Sequence, residues 1–123
     1  MEAILLINEP LEVLFKFLKT NTTFFHDSPF LLNKRTINYT DIKSSLYVNI
    51  TEDLSIKNDY ENSELVIIFD KFSSPYFYFI DFNNFELFKE IIKGLPNYCL
   101  IENDRGKFYN CEEVGKIKSY ELF

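Results

Sequence analysis

Leu65-Val66-Ile67-Ile68-Phe69 and, beyond Ser73-Ser74-Pro75, Tyr76-Phe77-Tyr78-Phe79-Ile80-Asp81-Phe82 form the apolar stretch whose reading decides the fold. Unbroken apolarity and β-branched residues predict a central strand over Leu65 to Phe69. The Ser-Pro turn then returns the chain as a second strand, Tyr76 to Phe82. In that strand Tyr76, Tyr78, Ile80 and Phe82 share one face, and Phe77, Phe79 and Asp81 share the other. Both faces are rich in aromatic carbon, so a bare sheet would expose a large apolar surface, and helices are expected to cover one side.

The next residues supply such a helix. Asn83 can cap it with Glu86 three positions on, and Phe82 can staple onto Leu87. Leu87, Phe88, Ile91, Ile92 and Leu95 form its apolar side, and Gly94 followed by Pro96 ends it. A second amphipathic helix is predicted from Pro10 to Lys19, where Leu11, Leu14, Phe15 and Leu18 recur at helical spacing. Ahead of it, Ala3 to Ile7 fits either a strand or a helical turn. Leu46, Val48 and Ile50 alternate with polar residues as a half-buried strand does, and Leu54 to Lys57 is a candidate to pair with it. Thr20 to Ser45 reads as loop with at most one short element. Tyr98 to Ile101 and Lys107 to Cys111 read as a hairpin, with Gly106 taking the left-handed position in its loop. Lys118 to Phe123 suits a last strand. The expected fold is a single small α+β domain over residues 1–123, a mostly antiparallel sheet of five or six strands with two principal amphipathic helices packed on it.

Length agrees, because 123 residues supply one core and are too few for two independent ones. Fourteen Phe and eight Tyr against only three Gly leave no glycine-rich phosphate loop. The net charge of −6, with dispersed lysines, disfavours nucleic acid and anionic membranes and favours a basic partner. No apolar stretch is long enough to span a bilayer and no basic leader opens the chain, so a cytoplasmic location is expected. Cys99 and Cys111 are the only cysteines. The hairpin makes them cross-strand neighbours, and in a reducing compartment they are expected to pack as two free thiols.

Catalytic chemistry finds little to build on. His26 is the sole histidine, insufficient for a histidine metal site and without a spaced partner for acid–base work. Asp70 and Asp81 would flank the expected hairpin and could approach as a carboxylate pair, although strand-end solvation explains them as well. No metal or cofactor is expected. Charge placement is more informative. Residues 51–70 hold six acidic side chains and one basic, so five of the six net negative charges fall in that window. Glu52, Asp53, Asp59, Glu61 and Glu64, with Tyr47 and Tyr60 nearby, are therefore candidate partner-binding residues, the carboxylates steering association and the tyrosines supplying contact area.

In size, acidity and its wealth of Phe, Tyr, Ile and Asn, the chain resembles bacterial immunity proteins that neutralise a cognate toxin, including those of contact-dependent growth inhibition systems. The resemblance implies a non-catalytic, antitoxin-like protein that binds a basic nuclease toxin domain through the acidic window Asn49 to Glu64. The rival expectations are a small subunit or homo-oligomeric structural domain joined through its aromatic strands, and an enzyme using His26 or Asp70 and Asp81.

Overall fold

Leu65 to Phe69 is not a strand. In the computed structural model, which describes residues 1–21, 29–41, 43–95 and 98–123, it lies inside a helix, α2 (Asn62–Lys71). The physical reason is at its start. Glu61 and Glu64 form a reciprocal capping box, each carboxylate accepting the other residue's backbone N–H, and this satisfies donors that a helix start otherwise leaves unpaired. Once helical, Leu65, Ile68 and Phe72 fall on one side, and that side packs onto the sheet. The expected Leu65–Phe82 hairpin therefore does not form.

Among the described residues the sheet has seven strands: β1 (Glu2–Ile7), β2 (Phe30–Leu32), β3 (Thr36–Asp41), β4 (Leu46–Glu52), β5 (Tyr76–Phe82), β6 (Cys99–Glu102) and β7 (Phe108–Asn110). Their order is β2-β3-β4-β5-β1-β6-β7, and every pairing is antiparallel. This is an α+β domain, with more strands and more helices than the sequence led us to expect. The Ala3 to Ile7 ambiguity resolves to strand, because β1 takes a central place between β5 and β6, where its apolar run is buried. Between Thr20 and Ser45, β2 and β3 replace the expected loop, joined by a turn in which Asn33 and Lys34 hold positive φ of 54° and 61°.

One face of the sheet carries α1 (Leu11–Asn21), α3 (Phe85–Lys93), the short α4 (Cys111–Gly115) and the C-terminal segment. Leu11, Leu14 and Leu18 of α1 and Phe85, Leu87, Phe88, Ile91 and Ile92 of α3 meet Leu5, Val48, Ile50, Tyr78, Ile80 and Phe82 in the main core. Phe88 stacks on Phe82 at 4.2 Å between ring centroids, and Phe123 closes the cluster against Tyr109, Phe85 and Phe88. Both amphipathic helices thus form nearly where expected. The cap of α3 is Asn84, whose side chain accepts the Leu87 N–H, while Asn83 instead accepts the Tyr47 N–H and donates to the Ser45 carbonyl.

The opposite face is covered over β1, β5 and β6 by α2 and a 3-10 helix, Leu54–Asp59, whose Ile56, with Tyr60, Ile68 and Phe72, packs on Leu6, Phe77 and Leu100. Leu54 to Lys57 is therefore a helical turn rather than a strand beside β4. Toward β3 and β4 the same face is open and polar, where Thr36 bonds Thr51 and Asn38 donates to Asn49. Lys118 to Phe123 likewise ends in a 3-10 turn, Tyr120–Leu122, and forms no last strand.

The β6–β7 hairpin forms with Gly106 at φ 82°. Its register sets Leu100 against Asn110, so Cys99 comes opposite Cys111, and the two form a disulfide with 5.9 Å between their Cα atoms. The expectation of two free thiols is corrected here. Cross-strand placement one step beyond the last ladder pair brings the sulfurs together, and the bond fixes the start of α4 to β6.

Candidate partner-binding surface

The acidic window divides between places. Asp59, Tyr60, Glu61 and Glu64 gather at the start of α2, joined there by Glu102 from β6. Glu52 ends β4 opposite Tyr78, and with Glu9 and Glu12 it surrounds that tyrosine on the other side of the sheet. Asp53 caps the 3-10 helix, accepting the Ser55 hydroxyl at 2.6 Å and the Ser55 N–H at 2.9 Å. These bonds hold its carboxyl below the usual aspartate value, with Arg35 adding a smaller attraction. Tyr47 is half-buried on the open polar face, beside Asn38, Thr40, Asn49 and Asp81.

Tyr60 is spent in the core. It is only 9% exposed, and its hydroxyl donates to Glu102 Oε1 at 2.7 Å. Burial, and next this bond to a carboxylate, raise the phenol's pKa far above its ordinary value, so it holds its proton more tightly. Of the two expected aromatic contacts, Tyr47 alone keeps part of its surface. Burial also raises Glu102, opposed by the Tyr60 bond and reinforced by Glu64 and Asp59. Three carboxylates therefore share one region of negative potential.

What the sequence reading missed is the outer side of α2. As a central strand, Val66, Ile67 and Phe69 would have been buried; as helix residues they are 70%, 58% and 46% exposed. Leu54 of the neighbouring 3-10 helix is exposed as well. Val66, Ile67 and Phe69 share one surface with Asn62, Leu65 and Asp70, so an exposed apolar run lies beside a carboxylate of the same helix. Lys57 lies over the Phe69 ring at 5.2 Å and covers part of one edge.

Beside this surface runs a cleft of about 300 Å³ between α2 and the β6–β7 hairpin. Glu64, Ile67, Ile68 and Lys71 line it from the helix, and Tyr98, Leu100, Phe108, Asn110 and Glu113 from the hairpin side. Tyr98 stacks on Phe72 at 5.4 Å, which steadies its ring.

The catalytic candidates gain no geometry. Asp70 is exposed on α2, whereas Asp81 sits in β5 between Glu2 and Asn49, and the hairpin that would have joined them does not exist. His26 lies outside the described residues. Among the described residues no group of His, Cys, Asp and Glu is placed to hold a metal ion, and no helix is long and apolar enough to cross a membrane. No protein family, curated protein or solved structure matches the chain.

Proposed function

We propose that this chain is a non-catalytic binding protein that docks a basic protein partner on the outer side of α2, in the manner of an immunity protein neutralising a toxin domain. The observation that carries this reading is the exposed run Val66, Ile67 and Phe69, with Asp70 and Glu64 on the surfaces these residues line. Apolar contact supplies affinity at the centre of such a surface, and the rim charges supply attraction and rate. A second copy of the chain is the rival occupant, since an exposed apolar helix face also suits self-association. It is disfavoured because each copy carries a net charge of −6. The reading places the protein in the cytoplasm, where a Cys99–Cys111 bond would be uncommon, so the state of that pair in cells checks the placement directly.

The test is association kinetics against the protein encoded beside this one, at several salt concentrations. Neutralising Asp59 and Glu61 as Asp59→Asn and Glu61→Gln slows association and flattens its salt dependence, while Ile67→Ser speeds dissociation. Unchanged rates in all three variants would remove α2 from the interface. A doubled mass in sedimentation that Ile67→Ser restores to monomer would favour the second-copy reading instead.

A further inference from the structure

The cleft between α2 and the β6–β7 hairpin has a chemistry more specific than the surface around it. Glu64 and Glu113 both line it, and each occupies the third position of its own helix, where its Oε1 accepts a backbone N–H, from Glu61 at 3.0 Å and from Asn110 at 2.9 Å. The backbone therefore anchors two carboxylates, from separate helices, in residues that line one cleft. A carboxylate accepts several donors, so these bonds leave capacity for another. Between them lie apolar and aromatic groups, Ile67, Leu100, Phe108 and the steadied ring of Tyr98. Lys71 also lines the cleft, two turns along α2 from Glu64, and its charge offsets part of the carboxylates' attraction for a cation.

We infer that this cleft receives an arginine side chain presented by the basic partner. The inference rests on the docking reading above and names the contact at its edge. A guanidinium matches the site better than an ammonium does, because its flat face stacks on aromatic rings while its N–H groups reach carboxylates in a fork. The volume suits one long side chain, being at the bottom of the roughly 300–1,000 Å³ range of ligand pockets.

The test uses Nα-acetyl-arginine methylamide as probe, with the neutral isostere Nα-acetyl-citrulline methylamide as control, titrated into the isotope-labelled chain and followed by amide shifts. Saturable shifts at Ile67, Tyr98, Phe108 and Asn110 are expected, with the citrulline probe about tenfold weaker, the loss a charge-assisted pair implies. The double variant Glu64→Gln, Glu113→Gln keeps both caps, since glutamine serves at that position, so it retains the parent's melting and loses the preference for arginine. No saturable shift, or equal shifts with both probes, would overturn the inference. The two readings fail separately. A chain that ignores the probe yet loses its partner on Ile67→Ser keeps the docking surface and loses the arginine pocket. A chain that prefers arginine while Ile67→Ser holds the partner as tightly as the parent keeps the pocket and loses the docking surface.

Discussion

Helices α2 and α3 lie on opposite faces of one sheet and are nearly equal in length, yet they spend their apolar residues differently. Helix α3 buries Phe85, Leu87, Phe88, Ile91 and Ile92. Helix α2 buries Ile68 alone and turns Val66, Ile67 and Phe69 outward. A helix whose apolar side matches its buried side is explained by folding stability. One that exposes three large apolar residues while burying one is not explained by folding stability, and under the proposed function those residues meet a partner. The comparison ties all of α3's apolar side to the fold, and the proposed docking reading gives the outer side of α2 to recognition.

The sharpest way to break it is paired truncation. Phe88→Ala removes a fully buried ring that stacks on Phe82 and packs at a tilt against Phe123, and is expected to cost about 3–5 kcal/mol. Ile67→Ala should stay within about 0.5 kcal/mol of the parent. Urea denaturation midpoints measure both, and equal losses would show that α2 is held by its outer residues after all. The next effect belongs to the α3 side. The Cys99–Cys111 bond closes a loop of 12 residues, so replacing both cysteines by serine should cost about 2–3 kcal/mol. Reductant should lower the parent's midpoint and leave the double variant unmoved. A parent indifferent to reductant would mean that the hairpin and α4 hold without the bond.

The same contrast explains what the sequence disclosed. Helix α3 was legible because Leu87, Phe88, Ile91 and Ile92 keep a 3.6-residue period between a capping asparagine and Gly94. Leu65 to Phe69 has no period over five residues, and such a run fits a buried strand as well as a helix. The deciding signal was the Glu61–Glu64 box, obscured because glutamate is an uncommon residue at the cap itself. The β2–β3 hairpin hid for a related reason. Its turn uses Asn33 and Lys34 in the left-handed region, where Asn-Gly would have announced it. The acidic window was visible as composition, but its division among Glu52, Asp53 and the start of α2 depends on chain geometry. The cleft needs Tyr98, Phe108 and Glu113 brought to α2 from far along the chain, which no local pattern reveals.

A smaller effect tests the electrostatics beneath α2. Burial raises Glu102, so the folded chain binds that proton more tightly than the unfolded chain does. Its contribution to stability is therefore greatest below the ordinary glutamate value and declines as pH climbs through the raised one. Subtracting the stability profile of Glu102→Gln from that of the parent should give a curve falling in that window. A flat or rising difference would show that burial does not govern this carboxyl.

The most direct test of the central claim is one preparation of Val66→Ser, Ile67→Ser, Phe69→Ser, measured for both stability and association with the neighbour-encoded protein. The account predicts a urea midpoint close to the parent's and an affinity reduced by tenfold or more, about 1.4 kcal/mol. A variant that binds as the parent does, or that unfolds as readily as Phe88→Ala, would contradict it.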